Sequence, residues 1–450
     1  MIGLYPVLSV FGTIPGFTFA DMFRSLVLII AITGIVLFLG WKFQKLNKVS
    51  ITLSFFYLWF FCYYVAYTYF WQPIPLASYG IPFIYFIIFI IGIVVIIKTR
   101  RNLELLNKIF CILAIVLIGL SLFPILVNAV SVQETHQPLK NTNIADNDCY
   151  YTNLTSYKPD IYIILLDQYI GVEGQQFLFN TTTPRNLERF QQQGFKILNY
   201  HSNFDGTVLS MASLFNMDYN TSSDFENLKV LRILKDYNYT TVHVKLDYWA
   251  LDNTWKTDYE YSPGLFNTFE ITLLGRSYLA QPLAAYNNGI QINEIITLTP
   301  SIVNISGPKF VYIHIDSPHH PYILDRRGVP STIISAPLYN KIAYANEVNG
   351  TSVFTRKIIT TILNQSKDEP IIIVLGDHGS RLPADNEDAK IPNRFSALFV
   401  YYLPSYIHDP FYENMTAVNV FRTLLPSTFG CNCTRLPDQS YYNGAWINTS

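Results

Sequence analysis

An aspartate and a histidine stand side by side directly after a short apolar run near the end of the chain. Residues 371–375 are all aliphatic, a glycine follows them, and then come Asp377 and His378. Five apolar residues bounded by glycine predict a buried strand with a tight exit. A carboxylate beside an imidazole at the carboxyl end of such a strand is typical of one half of a zinc or manganese site. The alternative is a capping aspartate beside a surface histidine.

A second apolar run ends in an acid about 200 residues earlier, where residues 161–166 precede Asp167. In an open α/β sheet, ligands bind beyond the carboxyl ends of the strands. Asp167 and the Asp377–His378 pair are therefore predicted to build one metal site from distant parts of the domain.

Histidines are concentrated at the end of a third apolar run, residues 309–315. Three of the chain's eight histidines, His314, His319 and His320, fall within seven positions there, with Asp316 among them. A structural role would account for one histidine more readily than for three. The group suits metal ligation or the binding of phosphate oxygens.

A turn-rich loop at 202–210 carries Thr207 just before an apolar helical start at 211–215. The ordinary interpretation of Thr207 is a helix N-cap, and the sequence by itself favours it. The functional interpretation is a nucleophile with its oxygen on a metal ion, because an aliphatic hydroxyl needs a nearby cation or base to become reactive.

These residues require a scaffold that brings strand ends together. From residue 159 onward, strand-like and helix-like segments alternate, which predicts one α/β domain with a mostly parallel sheet. The predicted strands are 160–166, 240–246, 309–315, 370–375 and 395–402, and the predicted helices are 184–193, 223–236, 338–364 and 415–424. The polar stretch 131–158 is predicted to be a linker, so the expected domains are 1–130 and 159–450.

The first 130 residues carry few charges in a chain that is 50% hydrophobic and only 14% charged. No charged residue occurs between Lys48 and Lys98 or between Lys108 and Glu134. Such gaps fit membrane spans of about 20 residues. Spans are predicted near 25–41, 51–70, 81–97 and 109–130, with 2–20 as a fifth. No basic segment precedes them, so a cleavable signal peptide is not expected.

Basic residues set the predicted orientation, because loops rich in lysine and arginine remain in the cytoplasm. Two such loops, at 42–48 and 98–108, flank an uncharged loop at 71–82. The chain after residue 130 is then external. Ten Asn-x-Ser/Thr triplets agree with this, because all of them follow residue 150 and predict a glycosylated external domain: Asn153, Asn180, Asn220, Asn238, Asn304, Asn349, Asn364, Asn414, Asn432 and Asn448.

The cysteines add one expectation for the external domain. A disulfide from Cys149 to Cys431 or Cys433 is expected there, whereas Cys62 and Cys111 lie within predicted spans. No Cys-x-x-Cys pair is present, which excludes a thiolate zinc knuckle. The net charge of −1 gives no case for binding nucleic acid.

Four motifs occur in a fixed order along the chain: Asp167 after a strand, Gly206-Thr207, Pro318-His319-His320-Pro321-Tyr322 and Gly376-Asp377-His378-Gly379. Together they resemble the sulfatase-like branch of the alkaline phosphatase superfamily. The resemblance is greatest to membrane-anchored enzymes such as lipoteichoic acid synthases and phosphoethanolamine transferases. It covers essentially the whole chain and implies an N-terminal transmembrane helix bundle of about five spans followed by an external α/β catalytic domain.

The resemblance also implies roles for single residues. Asp167, Thr207, Asp377 and His378 would hold one divalent metal ion (zinc, manganese or magnesium). Thr207 would be the nucleophile and His319 the histidine on the substrate side. A metal ion lowers the pKa of a bound hydroxyl and neutralises charge on a phosphoryl group. A covalent phosphothreonine divides the transfer into two in-line steps.

The chain departs from the related families at two points. Transferases of this branch usually have glutamate where this chain has Asp167. The Cys/Ser-x-Pro-x-Arg pattern of formylglycine sulfatases is absent, so sulfate-ester hydrolysis by that route is not expected. Asp316 and His320, four residues apart, resemble the second-metal motif of two-zinc phosphodiesterases, with His408 as the candidate third ligand.

Further residues are candidates for substrate binding. Those for a second metal ion or for substrate are His314, Asp316, His320 and Arg381. Those that would either contact a phosphate or serve packing are Arg381, Asn393, Arg394, Asn419 and Arg422.

The sequence thus predicts a membrane-anchored, metal-dependent phosphotransferase or phosphodiesterase that acts outside the membrane. The expected donor is a phospholipid-type headgroup, and the expected acceptor is a lipid or a cell-surface glycan. Two alternatives remain open: a phosphatase or phosphodiesterase with water as acceptor, and a non-catalytic surface protein that retains the fold.

Overall fold

A computed structural model of the chain describes residues 2–13, 17–63, 77–135, 149–150, 158–180, 184–219, 228–246, 255–330, 340–382, 393–442 and 445–447. The chain forms two compact units. The first, here called the helical unit, contains Met1–Thr142 and a later stretch, Phe266–Ala284. The second, here called the catalytic unit, contains Asn143–Leu246, Leu251–Leu265 and Ala285–Ser450.

The helical unit begins with a series of apolar helices. In its described residues these are α1 Leu4–Thr13, α2 Phe19–Lys42, α3 Leu46–Phe61, α4 Ala77–Lys98 and α5 Glu104–Thr135. Within the described part of the chain, α2 and the segment Glu104–Ile125 of α5 are long and apolar enough to cross a membrane, while α1, α3 and Pro82–Lys98 are shorter apolar helices. The predicted span 51–70 lies partly outside the described residues.

The remaining helices follow in chain order: α6 Val172–Phe179, α7 Arg185–Gln191, α8 Thr207–Asn216, α9 Lys229–Asp236, α10 Thr268–Gly275, α11 Ala280–Val303, α12 Lys341–Gln365 and α13 Ala417–Phe429. The strands are β1 Cys149–Tyr150, β2 Ile161–Leu166, β3 Lys196–Ile197, β4 Tyr200–His201, β5 Thr240–Val244, β6 Tyr259–Tyr261, β7 Lys309–Ile315, β8 Ile371–Gly376, β9 Ser396–Ala397, β10 Phe399–Tyr402, β11 Met415–Thr416, β12 Asn432–Cys433, β13 Ser440–Tyr442 and β14 Ala445–Ile447.

A sheet of seven described strands organises the catalytic unit, in the order β3-β10-β8-β2-β7-β5-β6. Strands β8, β2, β7, β5 and β6 are mutually parallel; at one edge β10 runs antiparallel to β8, and β3 runs antiparallel to β10. The predicted α/β fold with a mostly parallel sheet is confirmed.

Both faces of the central strands are buried, which explains their continuous apolar sequence. Along β2, Ile161, Ile163 and Leu165 belong to one core cluster, and the intervening Tyr162, Ile164 and Leu166 belong to the other. Residues of α8, α9 and α13 complete the first cluster, and residues of α7, α11 and α12 complete the second. A strand covered by helices on both faces has no solvent side and therefore shows no apolar–polar alternation.

The predicted elements correspond closely to the observed ones. Each predicted strand is present, although the segment 395–402 is interrupted at Leu398 and the segment 240–246 ends at Val244. The helix predicted at 223–236 begins at Lys229 among the described residues. Helices α6, α10 and α11 were not predicted.

The cysteines and sequons of the catalytic unit can be placed in part. Cys433 is disulfide-bonded and Cys431 is free, and the backbone of Cys149 lies opposite Cys433 in the antiparallel β1–β12 pair. Among the described sequon asparagines, Asn349 is half-buried, whereas the others are exposed: Asn180, Asn238, Asn304, Asn364, Asn414 and Asn432. Asn153, Asn220 and Asn448 lie outside the described residues. Glycosylation stays a prediction.

Candidate active site

Three neighbouring strands end in register and place three carboxylates at one edge of the sheet. Leu166, the last residue of β2, is paired with Ile315 of β7 and with Gly376 of β8. The next residue on each strand is an acid: Asp167, Asp316 and Asp377. The Asp167 N–H donates to the Ile315 carbonyl oxygen at 3.0 Å, which extends this register by one residue.

Asp167, Asp377 and His378 form a buried cluster that fits a metal ion. Each can direct one ligand atom inward, and these atoms lie within 4.8 Å of one another. His378 Nδ1 lies 2.8 Å from the Gly379 carbonyl oxygen. Because a carbonyl oxygen only accepts, Nδ1 carries the proton and Nε2 is left as the ligand atom, 3.4 Å from Asp377 Oδ2.

Three of the four carboxylate oxygens of Asp167 and Asp377 lack a protein donor among the described residues. In the described part of the chain, neither side-chain oxygen of Asp167 has a hydrogen-bond partner, and the same is true of Asp377 Oδ2. Both residues are fully buried. Carboxylates buried without compensation are costly, and a divalent cation is the partner that carboxylate and imidazole ligands together suit. The predicted metal site therefore fits the residues present.

The two carboxylates differ in charge state. Burial and the neighbouring Asp377 carboxylate raise the pKa of Asp167 to about 7. Burial also acts to raise the pKa of Asp377, but His378, the Thr207 hydroxyl and the Gln168 N–H together hold it below its ordinary value. Burial lowers the pKa of His378, so its imidazole is neutral, as a metal ligand must be.

Thr207 occupies the first position of α8 and is not its N-cap. The cap residue is Gly206, whose backbone is extended, and the Thr207 hydroxyl lies close enough to the Asp377 carboxylate to help lower the pKa of that group. Arg381 Nη2 donates to the Asp205 carbonyl oxygen at 2.6 Å and lies 3.6 Å from where a Cβ on Gly206 would be. A helix N-terminus and a guanidinium group beside one hydroxyl form an environment suited to a phosphoryl group.

The loop that begins at Asp316 carries His319. His319 Nδ1 lies 3.3 Å from Asp316 Oδ1, and Asn288 Nδ2 donates to Asp316 Oδ2 at 3.0 Å. Burial alone would lower the pKa of His319, but the carboxylates of Asp167, Asp316 and Asp377 raise it to about 10. His319 is thus protonated near neutral pH.

Glu347, a fully buried residue of α12, holds the two ends of this loop. Its Oε1 accepts from Ser317 Oγ at 3.1 Å and its Oε2 accepts from the Leu324 N–H at 2.6 Å. Thr351 Oγ1 lies 2.6 Å from Ser317 Oγ as well. Burial raises the pKa of Glu347 to about 8. Sequence reasoning missed both Glu347 and Asn288, because a single polar residue within a long helix gives no positional signal.

Gln168 has an unusual backbone conformation beside the metal cluster. Its φ is 63°, in the left-handed region that residues other than glycine rarely adopt. This conformation directs its N–H to Asp377 Oδ1 at 2.7 Å, while the Tyr344 hydroxyl donates to its carbonyl oxygen at 2.7 Å. Strained backbone of this kind is concentrated at functional sites.

In the described residues, the candidates Asp316, His320 and His408 do not form a group of three ligand-type side chains, and the second metal site stays a prediction. His314 Nε2 lies 3.9 Å from Asp167 Oδ2, close to the Asp167–Asp377–His378 cluster. The His320 ring packs edge-on against Tyr322, with centroids 5.3 Å apart. His408 is exposed, and no contact joins it to Asp316 or His320 in the described residues. Among the described residues, Asp167, Asp377 and His378 are the one group of three or more ligand-type side chains that could share a metal ion.

The remaining candidates for phosphate binding differ in their surroundings. Arg394 forms an ion pair of 2.9 Å with Asp205, next to the Thr207 loop. Arg422 donates to the carbonyl oxygens of Met217 and Thr434, and Asn419 donates to Asp438, so both serve packing around α13. Asn393 is buried, and its backbone lies against Gly379.

Comparison with protein-family models gives a match over more than half of the chain. The chain matches the model of the family described as Sulfatase over residues 159–426. The matched region includes Asp167, Thr207, His319, Asp377 and His378. No curated protein matches the chain in sequence.

Three solved structures illustrate what the chain is similar to. The C-terminal periplasmic domain of EcEptC from Escherichia coli is 10% identical, with 66% of this chain and 94% of that chain covered and a TM-score of 0.46. The integral membrane protein lipooligosaccharide phosphoethanolamine transferase A from Neisseria meningitidis is 13% identical, with 76% and 75% covered and a TM-score of 0.47. An alkaline phosphatase superfamily protein from Vibrio parahaemolyticus is 14% identical, with 65% and 76% covered and a TM-score of 0.45.

Proposed function

The chain belongs to the sulfatase family, and we propose that it is a membrane-anchored, metal-dependent phosphotransferase or phosphodiesterase whose nucleophile is Thr207. The observation that carries this proposal is the placement of the Thr207 hydroxyl. It is close enough to the Asp377 carboxylate to help lower the pKa of that group, Asp377 lies in one cluster with Asp167, and the Arg381 guanidinium lies beside the neighbouring Gly206. A hydroxyl at a helix N-terminus among metal-ligating groups is the arrangement that nucleophilic phosphoryl transfer requires.

Each residue of the site has a part in such a reaction. A divalent ion held by Asp167, Asp377, His378 and Thr207 would lower the pKa of the Thr207 hydroxyl and neutralise charge on the phosphoryl group. Arg381 and the N-terminus of α8 would bind the remaining phosphoryl oxygens.

The transfer proceeds in two steps. The Thr207 hydroxyl gives its proton to solvent and its Oγ attacks phosphorus, the bond from phosphorus to the leaving oxygen breaks, and protonated His319 gives its proton to that oxygen. The acceptor hydroxyl then loses a proton to the neutral His319 and attacks the phosphothreonine. The bond from phosphorus to Thr207 Oγ breaks, and Thr207 regains a proton from solvent. The His320 carbonyl oxygen, 2.7 Å from His319 Nδ1, and the Asp316 carboxylate, 3.3 Å from the same atom, keep the His319 ring in place.

Membrane anchoring is supported by the surface of the apolar helices. Large apolar side chains of α2, α4 and α5 are exposed, for example Phe38, Ile91 and Ile115. A helix with exposed apolar side chains over much of its surface suits a lipid environment. The lysine- and arginine-rich loops then lie in the cytoplasm and the catalytic unit lies outside. An anchored enzyme suits a lipid or lipid-linked substrate, with a second lipid or a surface glycan as acceptor.

The decisive experiment replaces the nucleophile. In full-length protein purified in detergent, Thr207→Ala should reduce turnover of a headgroup-analogue phosphodiester by several orders of magnitude. Quenched wild type should yield a phosphorylated peptide covering 202–215, and the variant should not. Ser210→Ala is the matched control, because Ser210 lies on the same helix and donates to the Phe204 carbonyl oxygen.

Retention of more than about a tenth of the activity by Thr207→Ala would exclude this mechanism. Products formed in the presence of lipid or glycan acceptors distinguish a transferase from a hydrolase that uses water.

A further inference from the structure

We propose that residues 266–284, here called the joint segment, hold the catalytic unit to the helical unit independently of the linker at 131–158. The chain leaves the catalytic unit after Leu265, belongs to the helical unit through Ala284, and returns to the catalytic unit at Ala285. The joint segment includes all of α10 and the start of α11. It is therefore covalently continuous with the catalytic unit at both ends while it packs inside the helical unit.

An ion pair between the buried Glu270 carboxylate and a half-exposed arginine ties the first turn of α10 to α2. Glu270 is 4% exposed, and its carboxylate accepts two hydrogen bonds from the Arg24 guanidinium, one of them from Nε at 2.5 Å. Asn267 caps α10 by accepting from the Glu270 N–H at 2.9 Å, and its Nδ2 donates to the Asp21 carbonyl oxygen at 3.0 Å. A bidentate arginine–carboxylate pair is specific in geometry, and its separation would leave the buried Glu270 carboxylate without its cationic partner.

The next turn of α10 contributes apolar contacts. Phe269 and Leu273 are buried in a cluster that includes residues of α1 and α2, namely Val7, Val10 and Met22. Phe269 also meets Phe17 edge-on, with ring centroids 5.3 Å apart. Arg276 Nη1 donates to Ser9 Oγ at 3.2 Å. Both apolar burial and directional bonds therefore fix α10 against two helices.

Tyr278 extends the attachment to two more helices. Its N–H donates to the Phe60 carbonyl oxygen of α3 at 2.9 Å, and its hydroxyl donates to the Pro82 carbonyl oxygen of α4 at 3.0 Å. Its ring packs on Trp59, with centroids 4.7 Å apart. One side chain thus links the end of α3 to the beginning of α4.

These contacts all lie at one set of helix ends. They involve the last two turns of α1, the last turn of α3 and the first two turns of α2 and α4. The opposite ends carry the lysine-rich stretches, including Lys42, Lys45 and Lys98. The joint segment therefore reaches the helix ends that the charge rule places outside the membrane, the side already assigned to the catalytic unit from its sequons.

The test severs the linker and asks whether the two pieces stay together. A site-specific protease sequence is inserted between Thr142 and Asn143 of the full-length chain, which carries an N-terminal affinity tag. After cleavage in mild detergent, we expect at least about nine-tenths of fragment 143–450 to be recovered with fragment 1–142. Release of fragment 143–450 from the cleaved wild type would overturn the proposal.

Variants separate this attachment from non-specific adhesion. Glu270→Arg should release most of fragment 143–450 after cleavage, and the exchanged pair Glu270→Arg with Arg24→Glu should restore retention. Tyr278→Ala should weaken retention, whereas Tyr286→Ala, an exposed tyrosine of α11 outside the joint segment, should not. Retention that survives Glu270→Arg combined with Tyr278→Ala would place the attachment elsewhere and refute the role of the joint segment. The readout needs no enzymatic activity, so its result is independent of the proposed reaction.

Discussion

The Asp167–Asp377–His378 cluster and the His319 loop are the two parts of the candidate site, but different forces build them. The cluster is positioned by main chain, because β2 and β8 run in parallel register and end together at Leu166 and Gly376. The loop has no such strand pairing over 317–322. Side chains from remote helices hold it, namely Asn288 of α11 and Glu347 of α12.

This difference has a functional consequence. A ligand set fixed by a central sheet is rigid, which suits the narrow geometry that a metal ion requires. A loop held by hydrogen bonds can be displaced without unfolding the sheet. Substitutions in the cluster should therefore remove the metal ion and the activity together, whereas substitutions around the loop should reduce the rate and leave the metal ion bound.

The largest effect is expected at the cluster. Asp377→Ala or His378→Ala should remove the metal ion from the purified protein, because three remaining ligands hold a divalent ion poorly. Activity should fall by on the order of 10³-fold or more. The measurement is metal content by elemental analysis alongside turnover, with Asp236→Ala, an exposed acid on α9, as control. Wild-type metal content in both variants would contradict the cluster assignment.

The next effect is expected at the loop. His319→Asn should lower kcat by about 10²–10⁴-fold through loss of proton transfer. Metal content should stay unchanged, since His319 is not in the cluster. Substrates whose leaving group is a weakly basic phenol should lose much less, because such a group departs without a proton. An equal loss for both kinds of substrate would assign His319 to binding instead of proton donation.

A smaller effect is expected from the residue that holds the loop. Glu347→Ala should lower kcat by up to about 100-fold through misplacement of His319. It also leaves the buried Leu324 N–H without its acceptor, which costs about 1–3 kcal/mol of stability. Glu347→Gln retains one oxygen acceptor and should recover part of the rate.

Two observations separate a positioning role from a purely structural one. Lys357→Ala, on an exposed position of the same helix, is the control for stability and should leave the rate unchanged. The leaving-group dependence of Glu347→Ala should resemble that of His319→Asn. A uniform loss across substrates would show that Glu347 supports the fold only.

The same difference decides how much of the site could be predicted from the sequence. Strand ends leave a local signal, an apolar run that stops at an acid, so Asp167, Asp377 and His378 were found without a structure. The structure brings those three together as predicted. Glu347 and Asn288 leave no such signal, because their importance comes from a partner 23 or 28 residues away, Leu324 or Asp316. The N-cap interpretation of Thr207 was wrong because Gly206 takes that position.

The helical unit shows the same limit on a larger scale. Its apolar helices follow from composition, because long uncharged runs have few alternatives to a membrane span. The packing of the joint segment could not be predicted in this way, because α10 is only eight residues long. The segment also joins the helical unit through partners more than 190 residues distant in sequence, such as Asp21 and Pro82. A short helix with a capping residue in the middle of an α/β domain gives no indication that it packs elsewhere.

The smallest effect is a pH dependence that distinguishes the cluster from the loop. The pKa of Asp167 is raised from 3.8 to about 7 by burial and by Asp377. In the metal-free protein the folded state therefore binds more protons than the unfolded state between about pH 4 and pH 7, and stability falls as pH rises through that window. A bound divalent ion takes the place of this proton, so the stabilisation gained on adding zinc should increase over the same window.

Thermal melting of metal-free and zinc-loaded protein at pH 4.5, 5.5 and 6.5 measures how stability and the stabilisation by zinc change with pH. We expect the melting temperature to change by about several degrees over this window. Glu347 should change the pH dependence of stability in the same direction as Asp167, because burial raises its pKa from 4.5 to about 8. Variants separate the contributions of the two groups. Asp167→Asn should reduce in part the pH dependence of stability in the metal-free protein and should abolish the stabilisation by zinc. Glu347→Gln should also reduce the pH dependence but should leave the stabilisation by zinc in place. If Asp167→Asn kept the zinc effect, Asp167 would not be a metal ligand, and the cluster would depend on β8 alone.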